Sequence, residues 1–148
     1  MRFTAVRFVD TNVLLYAVSR DPKELSKAAR ANEILMGREV ALSVQVLQEF
    51  YVQATRTSRS DPLTHQQAVE LAESFMRFPI APLTAELMLA ACATRQRFGV
   101  SYWDAAILEA ARSMDCDVVL SEDLNDGDRK STRLNSSHIQ KSRMPSSA

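Results

Sequence analysis

The sequence is organised around a single stretch near its amino terminus, in which one apolar run passes through three polar residues into another. Val6–Val9 has the composition of a buried strand, and Val13–Val18 that of a buried helix. Asp10, Thr11 and Asn12 between them would lie at the carboxyl end of the strand, where open α/β sheets keep their functional sites. The stretch therefore predicts an α/β fold with oxygen ligands at one edge of its sheet.

Composition restricts the class of protein further. The chain has 148 residues, of which 46% are apolar, enough for one domain with its own core. Its two cysteines, Cys92 and Cys116, are far apart and outside any metal-binding spacing, which predicts reduced thiols. No apolar run has the length of a membrane span, and the amino terminus lacks the pattern of a signal peptide. We therefore expect a cytoplasmic protein with no membrane partner.

Helices and strands are predicted to alternate along the rest of the chain. Apolar periodicity and capping residues predict helices over 23–36, 45–57, 64–78, 84–97 and 102–114, and strands over 40–44, 78–83 and 117–120. Two prolines restrict the strand over 78–83 to a sheet edge. In the helix over 23–36, the residues predicted to face inward are Leu25, Ala28, Ala29, Ile34 and Leu35. Strands separated by helical crossovers indicate a short parallel sheet with helices on both faces, a three-layer α/β/α arrangement.

The end of the chain differs from the rest. Residues 128–148 resemble the translation of a sequencing-library adapter, with many serines, five basic residues and one acidic residue. We therefore assign residues 1–127 to one domain and expect residues 128–148 to be a non-native, disordered tail. The alternative is a natural basic tail that contacts RNA. Residues 1–127 carry 13 basic and 17 acidic side chains, a net charge of −4 that argues against a generic nucleic-acid-binding surface.

Four acidic residues lie at the predicted ends of strands or in the first turns of helices. They are Asp10, Glu49, Asp104 and Asp123. Carboxylates that meet at one sheet edge repel each other unless a cation compensates their charge. Mg²⁺ or Mn²⁺ suits such an oxygen-only set, and neither His65 nor His138 is placed to contribute. The pattern predicts a site for a hard divalent metal.

Each of these acidic residues also has a purely structural interpretation. Asp10 could cap the helix that begins after it, and Asp104 could pair with Ser101 in a capping box. Glu49 could be a solvated helix residue, and Asp123 an ordinary loop residue. The neighbours of Glu49 and Asp104 weigh against these alternatives, because both acids lie among apolar residues, where a charge faces inward only for a reason.

Four segments of the chain together resemble the PIN-domain ribonucleases, and especially the VapC toxins. They are Val9–Tyr16, Ser43–Phe50, Ser101–Ile107 and Leu120–Asn125, in this order. One segment alone would be weak support, whereas four in the right order are specific. The resemblance covers about residues 8–127 and implies a PIN-like fold of the RNase H-like, Rossmannoid kind.

The resemblance also implies a function and a set of site residues. In that family, the residues that match Asp10, Glu49, Asp104 and Asp123 bind divalent metal, and those that match Thr11, Asn12 and Ser121 support the site through hydrogen bonds. The implied activity is that of a Mg²⁺- or Mn²⁺-dependent endoribonuclease that hydrolyses RNA phosphodiester bonds, the toxin of a type II toxin–antitoxin system. A homodimer and a cognate VapB-type antitoxin are implied as partners. The helices over 23–36 and 64–78 could form a groove for that antitoxin.

The chain departs from the family at the end of the domain. A PIN domain continues with a glycine-containing loop and a final strand beside the strand over 117–120, and the adapter-like segment stands in their place. We therefore expect a missing final strand, an unpaired sheet edge and low stability. Two other functions remain open. One is a PIN-like RNA- or protein-binding module without nuclease activity. The other is a flavodoxin-like or phosphoryl-transfer domain, although none of the three glycines belongs to a phosphate-binding loop.

Overall fold

The computed structural model describes residues 6–121 and the backbone of residues 131–133. Within these ranges the helices are α1 Thr11–Ala17, α2 Leu25–Leu35, α3 Val44–Ala54, α4 His65–Phe75, α5 Ala85–Phe98 and α6 Tyr102–Ser113. The strands are β1 Arg7–Val9, β2 Val40–Ser43, β3 Ile80–Ala81, β4 Val118–Leu120 and β5 Ser131–Arg133. A 3₁₀ turn, Pro22–Glu24, precedes α2. The alternation of helices and strands confirms the predicted α/β class.

β1 lies near the middle of a single sheet whose strand order is β3-β2-β1-β4-β5. It pairs in parallel with β2 on one side and with β4 on the other, and β3 pairs in parallel with β2 at the edge. α1 packs against α2 and α3, and α3 against α4, whereas α5 packs on α6, which contacts β2, β3 and β4. Right-handed crossovers place these two groups of helices on opposite faces of the sheet. The three-layer arrangement is therefore as predicted.

The sheet supplies the centre of the core. Its three inner strands, β2, β1 and β4, are mostly apolar, as expected of parallel strands covered on both faces. The largest fully buried side chains come from these strands and from the helices that cover them, among them Phe8, Leu42, Phe50, Leu108 and Val119. None of the helices in the described part of the chain combines the length and the apolar character that crossing a bilayer requires.

Local signals at the helix ends are present as predicted. Thr64 and Gln67 form a reciprocal capping box at the start of α4. Gly99 closes α5 in the left-handed conformation, with φ +70°, which a residue with a side chain rarely adopts. These caps fix where the chain turns back towards the sheet.

The inward face of α2 differs from the prediction. Leu25 is 68% exposed and Ala29 is also exposed, whereas Ile34 and Leu35 are buried as predicted, together with Ala31. All of these residues belong to one α-helix. At about 100° per residue, Leu25 lies about 180° and Ala29 about 140° from Ile34 around the helix axis, so both face away from the buried side.

The edge of β4 is paired, which corrects the expectation of an unpaired sheet edge. β5 pairs antiparallel with β4, so that Val119 lies opposite Thr132. Pairing uses peptide groups, and an open strand edge accepts almost any extended segment that can reach it. Ser131–Arg133 thus form a strand in a segment that we expected to be disordered. The remainder of residues 128–148 lies outside the described residues.

We expect the β4–β5 pairing to stabilise the domain. Replacing Ser131, Thr132 and Arg133 by glycine should lower the free energy of unfolding by roughly 1–3 kcal/mol, because glycine in a strand loses more backbone entropy on folding. Thermal melts followed by circular dichroism would measure the change. A control with glycine at residues 146–148 should melt like the parent chain. Equal melting temperatures for all three chains would show that β5 adds no stability.

Candidate functional site

The sheet has one point at which its strand order reverses. From β1 the chain proceeds to β2 and β3 on one side, and then crosses to β4 on the other side. A crevice forms at the carboxyl ends of the two strands that flank such a reversal, here β1 and β4. The backbone N–H of Asp10 donates to the carbonyl oxygen of Leu120 at 2.9 Å. Asp10 and buried Ser121 therefore lie at the rim of this crevice.

Asp10 is held by both its backbone and its side chain. It is the N-cap of α1, and its Oδ1 accepts a hydrogen bond from the backbone N–H of Thr11 at 2.7 Å. The structural interpretation of Asp10 as a cap is thus correct. It does not exclude a ligand role, because a carboxylate has a second oxygen and the side chain is only half-buried.

Thr11 connects Asp10 to a second carboxylate from a different part of the chain. The Thr11 side chain is buried, and its hydroxyl donates to Oε1 of Glu49 at 3.0 Å. Glu49 is half-buried on α3, whereas its neighbour Gln48 is exposed. Ser43 fixes the start of α3 by accepting a hydrogen bond from the backbone N–H of Val46 at 3.2 Å. One threonine therefore links an acid at the end of β1 to an acid on the helix after β2.

Asp104 approaches the same sheet edge from the other helical layer. It lies in the first turn of α6, where its backbone N–H donates to Oγ of Ser101 at 3.0 Å. α6 directly precedes β4 and must run antiparallel to it, because β4 is parallel to β1. Its 12 residues span about 18 Å, so its first turn lies towards the carboxyl ends of the strands. The side chain of Asp104 is half-buried there.

The predicted site residues are therefore brought together only in part. Asp10, Thr11 and Glu49 form one hydrogen-bonded group, with half-buried Asn12 in the same turn of α1. Within residues 6–121, no three side chains of His, Cys, Asp or Glu are arranged so that they could hold one ion together. Asp123, the fourth predicted ligand, lies outside the described residues.

Gln45 is a site residue that was not predicted from the sequence. It precedes Glu49 by one turn of α3, which places the two side chains on the same side of the helix. Its side chain is only 7% exposed, and its Nε2 has no hydrogen-bond partner within the described residues. A buried donor without a partner costs about 1–3 kcal/mol. The signal in the sequence was an amide between two valines at the start of an apolar helix.

The donor groups at this edge fit a hard divalent cation. The carboxylates of Asp10, Glu49 and Asp104 and the hydroxyls of Thr11 and Ser121 provide oxygen only, as Mg²⁺ and Mn²⁺ prefer. The unpaired amide of Gln45 could hold an acceptor, such as a water molecule, beside Glu49. His65, the histidine within the described residues, pairs instead with the hydroxyl of Tyr51 at 2.9 Å.

The fold and the acidic edge of the sheet together define the class of protein. It is an α/β domain with acidic side chains at the point where the strand order of a parallel sheet reverses. The family profile of the PIN domain matches residues 7–126. The chain therefore belongs to the PIN domain family, which confirms the resemblance that four short segments had indicated.

Solved structures of similar fold include a toxin and a toxin–antitoxin complex. One is VapC20 of Mycobacterium tuberculosis, described as a toxin that cleaves the sarcin–ricin loop. It has a TM-score of 0.62 and 20% identity, covering 80% of this chain and 91% of that chain. The other belongs to a toxin–antitoxin complex from Klebsiella pneumoniae, with a TM-score of 0.56 and 21% identity, covering 81% and 88%. At identities this low, the comparison shows that the folds are similar. No curated protein matches the chain.

The hydroxyl of Thr11 provides a direct test of the site. Thr11→Val keeps the shape of the side chain and the backbone bond to Asp10 but removes the donor to Glu49. We expect the affinity for Mn²⁺, measured by titration calorimetry, to fall about 10–100-fold, as is usual when a group that orients a ligand is lost. Thr11→Ser should retain most of the affinity. Unchanged binding in the valine variant would restrict Thr11 to a packing role.

Proposed function

We propose that this chain is a metal-dependent endoribonuclease and the toxin of a type II toxin–antitoxin system. The observation that carries the proposal is the link from Asp10 through Thr11 to Glu49 at the β1–β4 crevice, in a chain that belongs to the PIN domain family. The two similar structures are described as an RNA-loop-cleaving toxin and a toxin–antitoxin complex, which supports the same assignment. Its substrate would be cytoplasmic RNA.

In this proposal the acidic residues hold one or two Mg²⁺ or Mn²⁺ ions. Asp10 is the central ligand, because the end of β1 and the bond to Leu120 fix its position best. Asp104 and Asp123 complete the inner ligand set. Asn12 and Ser121 orient the surrounding groups, and Thr11 orients Glu49.

The chain itself positions the reacting water. Oε1 of Glu49 is occupied by the Thr11 hydroxyl, so Oε2 is the oxygen that can accept a proton from a water molecule. The water oxygen then forms a bond to phosphorus, the bond from phosphorus to the ribose oxygen of the leaving strand breaks, and that oxygen takes a proton from solvent. A bound divalent cation would supply charge neutralisation on the phosphate and a lower pKa for the water. Asp10 and Asp104 would hold that cation, because carboxylates repel a phosphate and do not bind it directly.

Loss of one carboxylate should abolish cleavage. We expect Asp10→Asn to reduce hydrolysis of a total-RNA pool in Mg²⁺ by at least about 100-fold, because a neutral amide is a poor ligand for a hard cation. Glu49→Gln should reduce it as well. Gel analysis of fragments over time measures the rate, and a chelator should reproduce the loss in the parent chain.

Asp61→Asn is a matched control for these variants. Asp61 is an exposed acid that pairs with Arg20 at 2.8 Å and is remote from the crevice. Its loss should leave the rate of cleavage unchanged. RNA that is bound by the parent chain but not cut in any divalent metal would contradict the nuclease proposal and favour a binding module.

We infer that an antitoxin helix would bind between α2 and α4, the two helices for which the sequence pattern suggested a groove. Two adjoining cavities of about 420 Å³ and 260 Å³ lie between α4 and the α1–α2 side of the domain and share Val18 and Leu71. Met36, 84% exposed, lines the second cavity with Phe75 and Arg77. An amphipathic helix that inserts apolar residues between such helices is a common mode of peptide recognition.

Met36→Arg tests this groove without disturbing the core. The substitution should weaken binding of the cognate antitoxin, to be sought as the product of a short reading frame next to the gene, by at least about tenfold, because a charge replaces an apolar contact. Met76→Arg is the control, since Met76 is also exposed but does not line either cavity. Calorimetric titration measures both affinities. Equal affinities would place the antitoxin elsewhere on the domain.

A further inference from the structure

Trp103 is the single tryptophan of the chain and is 62% exposed. Tryptophan side chains are usually well buried, so this degree of exposure on the surface of a small domain calls for a reason. Trp103 occupies the first turn of α6, between the cap residue Ser101 and the candidate ligand Asp104. The most exposed aromatic ring described therefore lies at the rim of the acidic site.

The indole is held on one side and open on the other. Tyr102 packs edge-on against it, with ring centroids 4.9 Å apart and an angle of 82° between the planes. Tyr102 in turn packs against a small buried cluster that includes Ala91, Val100 and Ala105. This support restricts the orientation of the indole without covering it. A flat, pre-oriented apolar surface is thus presented at the start of α6, in the same helical turn as Asp104.

We propose that Trp103 is a stacking platform for an unpaired nucleobase of the RNA substrate, at or beside the phosphate that the acidic site holds. The proposal rests on the proposed nuclease function and adds a residue that contacts the substrate. Trp103 and Asp104 lie in the same first turn of α6, with side chains about 100° apart around the helix axis, so a base on Trp103 belongs to RNA that reaches the same edge of the sheet as Asp104.

The net charge of the chain favours a nucleobase as the part of the RNA that contacts Trp103. Residues 1–127 have a net charge of −4, so the overall field does not attract a polyanion. Stacking of a base on an aromatic ring contributes about 1–3 kcal/mol and does not depend on charge. Bases in a duplex present no free face, whereas bases in single strands and loops do. An exposed indole at the site is therefore a contact that an acidic nuclease can use for unpaired RNA.

Intrinsic fluorescence reports directly on this contact, because no other tryptophan contributes. The full chain carrying Asp10→Asn, which prevents cleavage, is titrated with a single-stranded RNA octamer that carries a terminal dye. Tryptophan emission reports on stacking, and dye anisotropy reports binding independently. We expect the emission to be quenched in parallel with the rise in anisotropy. The same octamer annealed to its complement should leave the emission unchanged.

Variants at Trp103 measure how much the indole contributes to the affinity for RNA. Trp103→Ala should weaken binding of the single strand about 5–150-fold, the equivalent of 1–3 kcal/mol, and Trp103→Phe should weaken it much less. Leu89→Ala is the matched control, because Leu89 is a large apolar residue with the same exposed fraction, 62%, on the neighbouring helix. The Leu89→Ala variant should bind the single strand with the same affinity as the parent chain. Circular dichroism verifies that all variants are folded.

Three results would overturn the proposal. Binding by anisotropy without any change in emission would show that RNA binds elsewhere, and would leave the nuclease function standing. Emission that changes with protein concentration alone, together with a dimer in sedimentation, would show that a second copy covers Trp103. Absence of both RNA binding and RNA cleavage by the parent chain would remove the nuclease function and the platform together.

Discussion

Backbone pairing of β1 with β2 on one side and β4 on the other fixes the position of every candidate ligand in the described chain. Because these strands are parallel, their carboxyl ends meet at one edge, and the segments that leave or approach this edge carry Asp10, Glu49 and Asp104. A strand of three residues is sufficient for β1, since neighbours on both sides restrain it. The bond from Asp10 to Leu120 extends that restraint to the first ligand itself.

Negative charge at this edge opposes folding unless the fold compensates it. α1, α3 and α6 begin there, capped by Asp10, Ser43 and Ser101, and the start of a helix stabilises a nearby carboxylate by about 0.3–1 kcal/mol. Two carboxylates about 4 Å apart repel each other by about 4 kcal/mol at an effective dielectric constant of about 20. Helix ends alone therefore do not balance carboxylates in contact. Thr11 lies between the carboxylates of Asp10 and Glu49 and bonds to both. A cation would offset the repulsion if the two carboxylates came closer together.

Features set by neighbouring residues could be predicted from the sequence, and features set by distant segments could not. The turn from strand to helix at Asp10, which was predicted correctly, and the helix end at Gly99 both depend on local chemistry. The inward side chain of Glu49 was predictable from its apolar neighbours, but its partner Thr11 is 38 residues away, and only the fold brings the two together. Pairing of β5 with β4 depends on an open edge and a reachable segment rather than on residue type.

An acidic domain that acts on RNA must obtain its affinity from local contacts. Proteins that bind RNA through many lysines and arginines release counterions, and their affinity falls steeply with salt. Residues 1–127 carry fewer basic than acidic side chains, so this contribution is small in the proposed toxin. The attraction would instead come from charge neutralisation at the carboxylate edge and from stacking on the indole next to Asp104. Both contacts would act within a few ångströms of the scissile phosphate. Discrimination between RNA substrates would therefore depend on how each RNA places its unpaired nucleotides at this edge.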